Sequence, residues 1–142
     1  MNVDVLEALV VSAHRLTQLA AQSTGDKTPA AVWRALSTLR HDGDLRVGEL
    51  AARSRVTQPG MTRLVGSMHD DGLVVRIPDP ADSRASVISI TPAGEAALDG
   101  WRHTIATALA PEFGGLGDDD WGVLARAAEI LASRTAPVGA AS

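Results

Sequence analysis

The chain has 142 residues, a formal net charge of −4, 45% hydrophobic and 21% charged side chains, the proportions of a globular domain with a core of its own rather than of a disordered or fibrous chain. Cysteine is absent, which excludes disulfide frameworks, thiolate metal sites and cysteine nucleophiles and fits a reducing compartment. No apolar run approaches the roughly 18 residues that span a bilayer, and the opening Met1-Asn2-Val3-Asp4 lacks the basic-then-apolar pattern of a secretion signal, so the expected location is cytoplasmic.

From Val3 to about Gln22, Leu6, Leu9, Val10, Ala13, Leu16 and Ala20 recur at the three-and-four spacing of an amphipathic helix. Turn chemistry follows, and Thr28-Pro29 predicts an N-cap with proline at the first position of a second helix bearing Val32, Trp33, Leu36 and Leu39. That helix stops near Gly43, and a short strand is expected at Leu45 and Arg46. Val47, Leu50 and Ala51, a break at Arg53-Ser54-Arg55, then Met61, Leu64, Val65 and Met68 predict two short helices joined by a tight turn. Thr57 is placed to cap the second, and Gly72 to end it in a left-handed conformation. The β-branched runs 73–77 and 87–90 predict a hairpin with a long polar tip from Pro78 to Ser86. Thr91-Pro92 repeats the cap-then-proline signal before a fifth helix carrying Leu98, Trp101, Ile105 and Leu109. After the glycine-rich break at 114–117, Asp118 or Asp119 is expected to cap a last helix with Trp121, Leu124, Ala128 and Leu131, ending near Arg134 before a frayed tail.

Helix, turn, helix and hairpin in this order read as a mainly α protein with a small β-hairpin wing, a winged helix-turn-helix whose second short helix has the width of a DNA major groove. Net charge speaks against nucleic acid only as an average, because binding depends on local fields. Between Arg53 and Arg63 there are three arginines and no carboxylate, while Asp118, Asp119 and Asp120 lie far along the chain.

Leu50-Ala51, Val56-Thr57, Met61-Thr62-Arg63-Leu64 and Met68 through Gly72-Leu73-Val74 resemble the MarR family of bacterial transcriptional regulators. Asp82-Ser83-Arg84-Ala85, followed by Ile88 through Thr91-Pro92-Ala93-Gly94, is similar to that family's wing and the start of its next helix. The resemblance implies a homodimer built from the terminal helices, binding a pseudo-palindromic operator in double-stranded DNA, usually repressing, and often released by a small aromatic or phenolic ligand. On this reading residues 1–142 form one domain, with a helical dimerisation part at 1–28 and 92–142 and the winged DNA-binding part at 29–91. The sequence supports a dimer independently, because its first, fifth and sixth helices carry more apolar stripe than a small winged domain can cover.

With Thr57 as the cap, Gln58, Pro59, Thr62 and Arg63 fall in the first two turns of the recognition helix, where base edges and phosphates are met. Gln58 suits adenine, and Arg63 suits guanine or phosphate. Ser54 and Arg55 in the turn are expected phosphate contacts, with Arg53 and Arg76 weaker ones. Arg84 at the hairpin tip is expected in the minor groove. By resemblance, Asp82 would orient an arginine, either Arg84 or Arg63. His14 or Arg15 with Trp33 and Trp101 would line a ligand pocket with aromatic walls and polar anchors, unless the tryptophans simply fill the core.

Other constellations carry less. No two of His14, His41, His69 and His103 have the spacing that places two imidazoles on one helix face, so no metal site and no cofactor are expected. The three successive aspartates suit a helix start, where carboxylates complement the dipole. No nucleophile elbow or phosphate-binding glycine loop is present, so no catalytic residue is expected. The competing reading is a winged-helix module that docks a protein partner instead of DNA, for which a carboxylate-free basic helix is not required.

Overall fold

The computed structural model describes residues 1–137; the tail expected beyond the last helix lies, from residue 138, outside the described residues. The chain runs α1 (Val3–Thr24), α2 (Ala30–Asp42), α3 (Val47–Arg53), α4 (Gln58–Asp70), β1 (Val74–Asp79), β2 (Asp82–Ile90), α5 (Pro92–Leu109), a 3₁₀ turn (Ala110–Phe113) and α6 (Asp118–Thr135). No described helix is long and apolar enough to cross a membrane. The described residues form two compact units, one of Met1–Lys27 with Gly100–Arg126, the other of Thr28–Asp99 with residues 127–137. The division therefore falls within α5 and α6, not at the Thr91-Pro92 junction.

The second unit holds the winged motif. Its core is drawn from the predicted apolar positions: Leu36, Leu39, Leu50, Met61, Val65, Met68, Val74, Ile88 and Leu98 are all essentially inaccessible, each worth about 1.5–3 kcal/mol relative to exposure, while Trp33 and Leu64 are half-buried. α2 begins one residue later than Thr28-Pro29 predicts, because Pro29 is extended and its carbonyl accepts from Val32 N–H at 2.9 Å. The strand expected at Leu45 is a single bridge, Leu45 exchanging both backbone hydrogen bonds with Ile88 at 3.2 and 2.7 Å. Arg46 then caps α3, which begins at Val47, so no longer pairing can form.

α4 ends as expected. Gly72 takes φ 75°, its N–H donates to His69 O, and Leu73 N–H donates to Met68 O, the paired bonds that satisfy the last carbonyls of a helix. β1 and β2 pair antiparallel from Val74↔Ile90 to Pro78↔Ser86, with an irregularity that lets Asp79 oppose Asp82. The long tip expected between Pro78 and Ser86 is thus a correction: only Pro80 and Ala81 lie outside the strands. Two aspartates close it, since Asp79 accepts from Ala81 N–H at 2.9 Å and Asp82 from Arg84 N–H at 3.0 Å.

At the base of the wing, Thr91 N–H donates to Leu73 O at 3.0 Å and the Thr91 hydroxyl to Gly72 O at 2.6 Å. The same hydroxyl accepts from Gly94 N–H at 3.0 Å, capping α5. Gly94 is required there: a Cβ would lie 2.1 Å from Leu73 O and 2.9 Å from Ile90 Cγ1.

In the first unit α1 is capped by Asn2, whose side chain accepts from Val5 N–H at 3.3 Å, and it ends at Gly25 with φ 60°. α6 begins at Asp118, so Asp118, Asp119 and Asp120 occupy its first turn, where negative charge offsets the helix dipole. The α1 stripe is largely uncovered: Val3, Val5, Leu6, Val10 and Val11 are each more than half exposed.

Candidate nucleic-acid interface

The turn between α3 and α4 is built around two opposite residues. Ser54 is 2% exposed; its hydroxyl donates to Thr38 Oγ1 at 3.5 Å and its carbonyl accepts from Arg34 Nε at 3.2 Å. The expectation that Ser54 reaches a phosphate is corrected by this burial: it shapes the turn from inside. Arg55 is exposed and takes φ 56°, among the described residues the only non-glycine with positive φ. It reverses the chain so that Val56 N–H can donate to Ala51 O at 3.0 Å. A longer side chain at a position that favours glycine is a cost kept for something other than folding.

Thr57 caps α4, accepting from Gly60 N–H at 3.2 Å. Gly60 makes room for that cap, since a Cβ there would lie 2.9 Å from Thr57 Oγ1. Gln58, Pro59, Thr62 and Arg63 are all exposed on the first turns. The Thr62 hydroxyl donates to Gln58 O at 3.0 Å, which leaves its oxygen lone pairs outward. Gln58 lies across α3: a Cβ at Gly48 would be 3.4 Å from Gln58 Oε1. No carboxylate of the described residues pairs with Arg55 or Arg63.

On the wing, Asp82 Oδ1 accepts from both the backbone N–H and the Nε of Arg84, at 3.0 and 3.4 Å. Of the two arginines considered for Asp82, it is Arg84 that it holds, and the Arg84 side chain is 91% exposed. Two ion pairs of the same unit were not legible in the sequence. Arg46 Nε donates to Asp79 Oδ2 at 2.7 Å, and Arg53 lies 3.1 Å from Asp42. Asp79 is held below the usual carboxylate range by the Ala81 N–H first and Arg46 second. The only signal for either was composition, arginines near a hairpin and a helix end that carry aspartates.

The first unit holds an open groove of about 550 Å³ along α1, lined by Leu16, Leu19, Phe113 and Leu124 together with the polar Ser12, Arg15, Gln18 and Gln22. Arg15 is the one member of the expected ligand set that lines it. His14 is exposed on α1, Trp101 is half-buried on α5, and Trp33 is half-buried on α2 in the other unit. Among the described residues no three His, Asp or Glu side chains gather into a group able to hold a metal ion.

A capped helix presenting polar and cationic residues, a tight turn before it and a hairpin carrying the exposed Arg84 define a winged helix-turn-helix DNA-binding protein. Comparison with known proteins agrees. Residues 27–85 match the model described as MarR family. The chain is 34% identical over 97 residues to an uncharacterized HTH-type transcriptional regulator of Mycobacterium bovis, covering 68% of each chain. A MarR family protein from Bacillus stearothermophilus superposes with a TM-score of 0.66 at 25% identity, covering 94% of this chain and 97% of that one. Bordetella bronchiseptica BpsR, whose DNA binding is regulated by 6-hydroxynicotinic acid, superposes with a TM-score of 0.59 at 20% identity over 90% and 92% of the two chains. The chain belongs to the MarR family of transcriptional regulators.

Proposed function

We propose that this regulator is a homodimeric repressor that reads a pseudo-palindromic operator with two copies of α4 in successive major grooves and with Arg84 in the flanking minor grooves. The observation that carries the reading is the exposed surface of Arg55, Gln58, Thr62 and Arg63 around a capped helix start, with no carboxylate of the described residues pairing either arginine. Such a surface suits phosphate and base edges and gives binding a strong salt dependence. Thr57 and Pro59 set the helix start, and Asp82 orients Arg84 instead of touching DNA itself.

Dimerisation is proposed on the uncovered apolar faces. Val3, Leu6 and Val10 on α1, and Trp121, Val123 and Leu124 on α6, are each at least 41% exposed, more than scattered surface residues account for. A second copy supplies the self-complementary cover that a two-fold interface needs. Release by a small aromatic acid is proposed on Arg15, the one cation in a groove that also offers apolar Leu16, Leu19, Phe113 and Leu124 and the neutral polar Ser12, Gln18 and Gln22. BpsR, which shares the fold, answers to a ligand of that chemistry.

Fluorescence anisotropy on the duplex upstream of its own gene and on a scrambled duplex, at low and near-physiological salt, tests the reading. Selective binding that weakens with salt, lost in Arg63→Ala/Arg84→Ala while the dimer persists, is the expected result. Equal weak binding to both duplexes by ligand-stripped protein would overturn it and favour a protein-docking module.

A further inference from the structure

The C-terminal ends of two helices of the second unit meet at one imidazole. His41 lies in the last turn of α2, with Nδ1 2.7 Å from Asp42 Oδ1 and Nε2 2.7 Å from the carbonyl oxygen of Thr135, the last residue of α6. Near neutral pH both partners only accept, so both ring nitrogens must carry a proton for the two bonds to coexist. A neutral ring has one N–H; the imidazolium has two. The terminal carbonyls of two helices add to the attraction for a cation at this spot. The ring is accordingly held above the ordinary histidine range, by Asp42 first and the Thr135 carbonyl second.

Asp42 has a second partner. Its Oδ2 lies 3.1 Å from Arg53 Nη1, and its carboxyl is held below the usual range by His41 first and Arg53 second. Arg53 is the last residue of α3, directly before the Ser54-Arg55 turn. The groups that face the ring are thus Asp42 from α2, Arg53 from α3 through that carboxylate, and the Thr135 carbonyl from α6, with Arg134 next to it in the chain. Arg40, one residue before the ring, is turned to Asp99 and to the Glu95 carbonyl on α5. His69, the other histidine of this unit, stands 3.9 Å from Asp70 at the far end of α4.

We propose that His41 is a proton-operated latch: as an imidazolium it ties the end of α6 to Asp42 and leaves Arg53 available to operator phosphate, so the protein binds its operator more tightly at low than at high pH. The proposal rests on the reading of the α3–α4 surface as a DNA interface. With His41 protonated, two cations share one carboxylate and the cluster is positive. After the proton leaves, the ring keeps a single donor and must release Asp42 or Thr135. Asp42 and Arg53 then form a neutral pair in which the carboxylate competes with phosphate for the guanidinium. The stability supplied by the latch is complete below the ordinary histidine pKa of about 6.5 and is lost as pH rises through the raised value.

Two measurements on the full chain test it. The first is the NMR titration of the His41 ring, assigned with His41→Gln: a pKa above that of free histidine that falls in Asp42→Asn is expected, and an ordinary, Asp42-independent value would overturn the proposal. The second is anisotropy on the upstream duplex at about pH 5.5 and about pH 8.5, on either side of the histidine range, at one ionic strength. The wild type should bind roughly three- to fivefold tighter at the lower pH, one added charge near phosphate. His41→Gln should lose that ratio, and Asp42→Asn should lose it by binding tightly at both. A His41→Gln protein that keeps the wild-type ratio would overturn the latch. Arg63→Ala serves as the separate control: if it fails to weaken binding at either pH, the DNA interface is misassigned, and the ring titration still decides whether the latch exists.

Discussion

The Arg46 guanidinium and the Asp79 carboxylate, 33 positions apart in the chain, meet at 2.7 Å and fasten the turn of the wing to the start of α3. Asp79 uses its other oxygen on the Ala81 N–H, so a single side chain both closes the turn and anchors it. Arg46→Ala should therefore free the wing without unfolding it. We expect a shift of melting temperature within a few degrees, since exposed ion pairs contribute little to stability. Operator affinity should fall by roughly three- to tenfold, because Arg84 must then be ordered on binding. The tie is complete above the ordinary carboxylate pKa and is lost as pH falls through the depressed value of Asp79. Anisotropy with wild type and Arg46→Ala, compared with their melting curves, separates the two effects; equal affinities would show that the wing needs no anchor.

Arg55 holds φ 56° in the turn, a conformation that costs a side-chain-bearing residue about 1–2 kcal/mol. Glycine removes that strain and brings back part of the gain as unfolded-state entropy. Arg55→Gly should consequently stabilise the fold by about 0.5–1 kcal/mol in urea unfolding while weakening DNA binding. Opposite signs in one variant mark a residue retained for its ligand. A variant that is more stable and binds DNA as before would remove Arg55 from the interface.

How far the sequence could be read follows from the range of each interaction. Thr57 and Gly72 act on groups within a turn or so of their own position, as Thr91 does in capping α5 through the Gly94 N–H, and their neighbours name these roles; the bonds of Thr91 to Gly72 and Leu73 reach much farther along the chain. The apolar core of the second unit was legible for the same reason, since helical spacing fixes which face of α2 or α4 is buried. Ser54 was misread because a hydroxyl in a turn looks alike whether it faces solvent or Thr38. The hairpin tip was misjudged because Asp79 and Asp82 close it through side-chain bonds that composition does not reveal. Arg46–Asp79, Arg53–Asp42 and His41–Thr135 join distant positions, and no local pattern announces such pairs.

Gly94 sits where α5 leaves the base of the wing, and its missing side chain is what admits the Leu73 carbonyl. The nearest neighbour is the Leu73 carbonyl, which is backbone, and the next is Cγ1 of the β-branched Ile90, so the tightest contact cannot yield as a flexible side chain would. Gly94→Ala should destabilise the protein by about 1–3 kcal/mol, the cost of overpacking a tight site, despite alanine's better helix propensity. Gly66, on α4, where a Cβ would meet nothing within 4 Å, is the control: Gly66→Ala should be neutral or stabilising by up to about 1 kcal/mol. Urea unfolding of both variants checks the contrast, and equal effects would mean that the junction can relax.

Gln58 and Arg63 are both exposed on the first turns of α4, yet they should fail differently when removed. Arg63 carries charge, so as a phosphate contact its loss should weaken binding to any sequence and lower the slope of log affinity against log salt by about 0.9. Gln58 carries none. Its carboxamide rests across Gly48 of α3, and Gln58→Ala should leave the salt slope intact. What it should change is discrimination at one base pair, by about 1–3 kcal/mol if the carboxamide spans an adenine edge. Gly48→Ala offers a third arm, since an added methyl meets the Gln58 carboxamide and should shift that same base preference while leaving the Arg63 slope untouched. Competition anisotropy with single-base-pair variants of the operator, repeated across a salt series, reads both quantities at once. A salt slope that falls with Gln58→Ala, or a base preference that moves only with Arg63→Ala, would exchange the two roles.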